Sequence, residues 1–195
     1  MSAIRIVIAA AFVLTSGCAL QSDEERQENL AHLEKEVTEA ALDLQWELSD
    51  ADVDPNNPLL TQEMVDALMA LAAEEPCNIE GTMLGWYGQG ELEFALVSTE
   101  NQLVSSVEGT LEAQEADGGY EADSGELWSG VSEGEEGENG AAYGVMDAPM
   151  APGYGTLTGA LFNTADAHTG NVYGIWVDAP DLDGAWIFGG YSECT

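Results

Sequence analysis

Two stretches of the chain set carboxylates at spacings that could hold a calcium ion. Asp50, Asp52, Asp54 and Asn56 alternate along one polar segment, and Asp178, Asp181 and Asp183 crowd a second segment just before Gly184. Calcium gathers about six to eight oxygen ligands, and alternating acids of this kind open the calcium loops that join two helices. The first segment departs from that pattern, with Pro55 where the loop needs glycine and Thr61 where it needs a closing glutamate; Glu63 stands two residues late. Side chains that cap backbone amides in an Asp/Asn/Pro turn account for the same residues. Ordinary Asp-Gly hairpin chemistry accounts for the second segment. At both places the calcium reading and the turn reading stay open.

The run Gly130-Val131-Ser132-Glu133-Gly134 fits the Gly-x-Ser-x-Gly pattern of a hydrolase nucleophile, for which Asp166 and His168 could complete a triad. That motif works where a strand turns sharply into a helix and lifts the serine. Here the serine runs into Glu133-Gly134-Glu135-Glu136-Gly137-Glu138-Asn139-Gly140, which reads as a loop, so no catalytic residue is assigned. His32 and His168 are the only histidines, too few for a histidine-rich metal centre, and no cysteine pair has zinc spacing. Hydrolysis by a pair of carboxylates survives as an alternative, because any two of many acids could converge in the fold.

The charge balance narrows the partners. Asp and Glu number 37 against 3 Lys and Arg, a formal net charge of -34, and no lysine or arginine follows Lys35. Nucleic acid is excluded as a partner, since phosphate backbones need clustered positive charge. Anionic headgroups would be repelled as well. The acids must be hydrated, bonded to backbone amides, or met by divalent cations or a basic protein partner.

The first residues read as an export signal. Arg5 precedes an apolar run from Ile6 to Leu14, and small residues lead to Cys18. The run is shorter than the roughly 20 residues that cross a bilayer core. Leu14-Thr15-Ser16-Gly17-Cys18 resembles the lipobox of bacterial lipoproteins, although Thr15 stands where that family prefers Leu, Val or Ile. The resemblance covers this segment alone. It implies cleavage of residues 1–17, an acyl anchor on Cys18 and a place in the cell envelope. Ala19 next to the cysteine, in place of aspartate, implies by the family's sorting habit the outer membrane or its periplasmic face. With Cys18 acylated, Cys77 and Cys194 are left as a pair in an oxidising compartment and are expected to be bonded.

The elements that would position these residues follow from periodicity. Residues 18–29 read as an acidic tether after the lipidated cysteine. Leu30, Leu33, Val37, Ala40, Ala41, Leu44 and Leu48 recur at helical steps, and Thr61 caps a second helix carrying Met64, Val65, Leu68, Leu71 and Ala72. Pro76 forbids its continuation. A helical hairpin over 30–75 is therefore expected. From residue 76 to 195 the texture changes to glycine, aromatics and period-two alternation, as in Leu92, Phe94 and Leu96. About eight short strands are expected. The fold class is mainly β, an antiparallel meander forming a small barrel or a sandwich, preceded by the helical hairpin. The function expected is that of a lipid-anchored, acidic extracytoplasmic protein with a binding or structural role, calcium-assisted if the acids converge. Its aromatics read as core rather than as a glycan platform.

Overall fold

The computed structural model describes residues 21–48, 58–112, 126–134, 139–147, 153–179 and 184–194. Two helices come first, α1 (Asp23–Leu48) and α2 (Gln62–Glu74). Eight strands follow: β1 (Asn78–Gly88), β2 (Glu91–Ser98), β3 (Leu103–Glu112), β4 (Glu126–Gly134), β5 (Asn139–Met146), β6 (Tyr154–Phe162), β7 (His168–Ala179) and β8 (Gly184–Glu193). Each pairs antiparallel with the next, and β8 returns to β1, so the sheet is a closed barrel in simple meander order. Closure settles the choice between barrel and sandwich, and it leaves no unpaired sheet edge.

Alternation along the strands sorts side chains into two cores. Met83, Leu92, Phe94, Leu96, Val107, Trp128, Leu157, Trp176, Ile187 and Tyr191 belong to one cluster, which fills the barrel. Phe94 and Trp128 meet edge to face there, with ring centroids 5.7 Å apart. Rings of this size fit a small barrel only where facing positions give way. Gly159 is one such position, since a Cβ there would lie 2.2 Å from the Trp128 ring; Gly155 does the same for Trp176 at 2.5 Å.

The second core lies on the outer wall. Leu33, Val37 and Ala41 of α1 and Leu68 and Ala72 of α2 pack with Tyr173, Ile175, Val177 and Phe188, whose side chains point away from the barrel axis. Strands covered by helices on one face and filled on the other read as nearly continuous apolar runs, and β7 and β8 do so. Elsewhere on the outer wall Leu127, Val131 and Tyr143 are exposed.

Local chemistry fixes both helix starts. Ser22 and Glu25 form a reciprocal cap: the Ser22 amide donates to Glu25 Oε2 at 2.9 Å and the Glu25 amide donates to Ser22 Oγ at 3.3 Å. Thr61 accepts from the Met64 amide at 3.4 Å, as expected for the cap of α2. Arg26 reaches from the first turns of α1 to the end of α2, where its guanidinium donates to the carbonyls of Ala72, Ala73, Glu75 and Cys77. Those of Ala72 and Ala73 are among the last four of α2, which a helix leaves without an i+4 amide partner.

Three expectations are corrected. α1 begins at Asp23 rather than at Leu30, because the Ser22-x-x-Glu25 cap nucleates a turn ahead of the apolar stripe. Residues 21–29 are therefore not part of a loose tether: Gln21 is bonded to β1, Ser22 caps α1 and residues 23–29 are helical. Strand β4 runs through Ser132, Glu133 and Gly134, so the loop expected from residue 132 is shorter, since β3 and β5 supply backbone partners that outweigh local polarity. Cys77 and Cys194 are bonded as expected, with Cα atoms 5.1 Å apart across a separation of 117 residues. No described helix is long and apolar enough to cross a membrane.

Candidate ligand-binding mouth of the barrel

One end of the barrel gathers the start of β1, the turns joining β2 to β3 and β6 to β7, and the end of β8. Turn backbones are held locally: the Thr99 amide donates to the Glu80 carbonyl at 3.2 Å and the Asn163 amide to the Ala167 carbonyl at 3.0 Å. A cavity of about 500 Å³ opens at this end, within the range of small-molecule sites. Leu96 and Leu161 wall it, Ser105 and Ser132 bring hydroxyls, and Tyr191 and Glu193 close the side formed by β8.

Strand phase explains these placements. Leu96 faces Ser105 across β2 and β3, and Val107 faces Ser132 across β3 and β4. Both serines thus fall on the inward side with Phe94 and Trp128. In β8, Tyr191 and Glu193 continue the inward sequence of Ile187 and Gly189. Tyr191 is buried, and Gly81 opposite makes room for it, because a Cβ there would lie 2.7 Å from the ring. The register of β1 against β8 slips between Ile79 and Gly81, so Glu80 sits in an irregularity beside Tyr191 and Ser192.

Two carboxylates and a phenol are coupled at this end. Burial, and then the neighbouring Glu193 carboxylate, raise Glu80 above the usual glutamate range. Burial pushes the Tyr191 phenol up to about 12, with Glu193 and Glu80 adding to the rise. Like charges in a partly desolvated site disfavour their own ionisation and attract a cation. His168 stands at the rim, its Nε2 2.9 Å from Asn171 Oδ1. No lysine or arginine can answer these acids from the barrel, because the sequence has none after Lys35.

A second cavity of about 390 Å³ lies between α1 and the outer wall, lined by Leu44, Trp86, Phe94 and Trp186 among others. Trp86 and Trp186 meet edge to face with centroids 4.8 Å apart, and the buried Nε1–H of Trp186 finds no acceptor among the described residues.

The residues singled out from sequence fare differently. Asp50, Asp52, Asp54 and Asn56, and likewise Asp181, Asp183 and Cys18, lie outside the described residues. Asp178 is in β7, where its amide donates to the Gly153 carbonyl at 2.9 Å. Among the described residues, Glu75, Cys77 and Cys194 alone group closely enough to suggest a metal, and there the two sulfurs are bonded to each other. Glu75 is instead held by Asn171 Nδ2, which donates to its carboxylate at 2.8 Å. Ser132 lies within a strand and not at a strand-to-helix turn, so it is no nucleophile elbow.

Sequence reasoning missed Glu80, Glu193, Gln21 and Arg26. Period-two counting back from Glu193 to Ile187 would have placed Glu193 inward. No local signal marks Glu80, whose position depends on a register slip between strands far apart in sequence. Comparison with protein families, with curated proteins and with solved structures gave no match.

Proposed function

We propose that this chain is a lipid-anchored protein of a bacterial cell envelope, at the outer membrane or its periplasmic face, whose barrel is a binding module. The residues Leu14-Thr15-Ser16-Gly17-Cys18 carry the anchoring, the mouth cavity carries the binding role, and what would join the two is the clamp on Gln21. Its amide donates to Asn78 Oδ1 at 3.0 Å, which fixes the chain to the mouth end of the barrel three residues after Cys18. Three extended residues span at most about 11 Å. An acyl anchor on Cys18 would therefore hold the mouth within a short reach of the bilayer, with α1 and α2 acting as a helical hairpin that braces the outer wall at β1, β7 and β8. The acidic surface would keep the body off anionic headgroups.

The test is fractionation of the native cell. The wild-type chain is expected in the membrane fraction and the Cys18→Ser chain in the soluble envelope fraction; an unchanged distribution would refute anchoring.

A second reading, an extracytoplasmic hydrolase using a carboxylate pair, draws on the raised Glu80 beside Glu193 near a cavity. Binding is preferred because Glu193 alone of the two lines the cavity, whose walls are largely apolar. A hydrolase screen in which Glu80→Gln or Glu193→Gln abolished turnover would reverse that preference. Calcium at Asp50, Asp52, Asp54 and Asn56, or at Asp178, Asp181 and Asp183, would be structural in either case. A melting point indifferent to calcium and to chelator would dispose of it.

A further inference from the structure

We infer that the mouth cavity takes a small amphipathic cation, an ammonium head on an apolar tail, with the head at Glu193 and the tail against Leu96 and Leu161. The inference rests on the reading of the barrel as a binding module and names the ligand class of that site.

Three observations converge on it. The cavity has the volume of a small-molecule site and walls that are more apolar than polar, so the body of the ligand is apolar. Its charged edge is acidic: Glu193 lines it, and Glu80, in the β1 irregularity beside Tyr191, is near enough for the two carboxylates to repel each other. A cation at Glu193 offsets that repulsion, whereas an anion would add to it. Among the described residues no lysine or arginine lines the cavity, whose one basic side chain is His168. The chain's two Lys and Arg residues beyond Arg5 are on α1, where Arg26 is engaged with carbonyls and Lys35 with Glu36 and Glu39. The Ser105 and Ser132 hydroxyls on the opposite wall offer acceptors to the remaining N–H groups of a primary ammonium. A net charge of -34 raises the local concentration of any cation and speeds its arrival, without fixing where it binds.

The experiment is calorimetric titration of the full chain carrying Cys18→Ser, with the Cys77–Cys194 bond intact, against octylammonium, octanol and octanoate. Octylammonium is expected to bind at one site at least tenfold more tightly than octanol, with octanoate not binding. Glu193→Gln is expected to abolish that preference while octanol binding is retained, and Glu80→Gln to weaken it. Glu91→Gln, at the opposite end of the barrel, is expected to leave it intact. A preference that survives Glu193→Gln, or falls equally with Glu91→Gln, would show diffuse surface attraction and overturn the inference. Octanol binding as tightly as octylammonium would overturn the cation while leaving a binding module. Failure of all three probes would overturn the mouth as the site, and the binding reading with it.

Discussion

Gln21 pairs with Ile79 as a strand residue would. Its side-chain nitrogen donates to the Ile79 carbonyl at 3.0 Å, and its side-chain oxygen accepts from the Ile79 amide at 3.3 Å. A single amide side chain thereby extends the β1 ladder by one rung and ties the amino end of the described chain to the barrel mouth. Asn29 adds a second bond to the same carbonyl at 2.8 Å.

Arg26 is the fastener of the two helices. Hydrogen bonds to a charged group contribute about 1.5–3 kcal/mol each, with sub-additive sums. Arg26→Ala is expected to cost about 2–4 kcal/mol in urea unfolding and to speed amide exchange in the last turn of α2. Arg26→Lys should restore less than half, because an ammonium cannot span several carbonyls as the planar guanidinium does.

The Cys77–Cys194 bond joins the residue before β1 to the residue after β8 and so fastens the seam of the barrel. Loop-closure reasoning for a separation of this size gives about 5 kcal/mol as an upper figure, and removal of native disulfides commonly costs about 2–5. Cys194→Ser and Cys77→Ser are expected to lower the melting temperature equally, and the double variant no further. Additive losses would point to separate roles for the two sulfurs.

Gly159 tests the inner packing. Gly159→Ala drives a methyl against the Trp128 ring, itself 1% exposed, and overpacking of this kind costs about 1–3 kcal/mol. Combining it with Trp128→Phe should cost less than the sum of the two single changes, as expected for residues sharing one space. Strict additivity, measured by denaturant unfolding, would argue that the two do not compete.

Glu80 gives a pH signature. Its folded pKa is raised, so between the unfolded value and the folded one the native state holds more protons than the unfolded chain. Stability should therefore fall as pH rises through and just above the ordinary glutamate range, and recover as pH drops back through it. Glu80→Gln is expected to flatten that slope and to raise the melting temperature at neutral pH. An unchanged slope would place the charge strain elsewhere.

Much of the fold was legible because its signals are local. Thr61 announced α2, and alternation such as Leu92, Phe94, Leu96 announced the strands. The start of α1 was legible too, in Ser22-x-x-Glu25, but the apolar stripe beginning at Leu30 drew the boundary inward. Barrel closure was not legible, because it depends on β1 meeting β8 across the whole domain. The same reason hid the mouth: Glu80, Tyr191 and Glu193 converge through closure and a register slip, which no window of sequence contains. Gly155 and Gly159 are holes for tryptophans, Trp176 directly across on β7 and Trp128 two strands away on β4, pairings that appear only once the strands are in register.

Mass spectrometry of the amino terminus of protein recovered from its native cell tests the account most directly. A chain that begins at Cys18 and carries the mass of a diacylglyceryl group is the predicted result. An intact Met1, or Cys18 with an unmodified thiol, would contradict it.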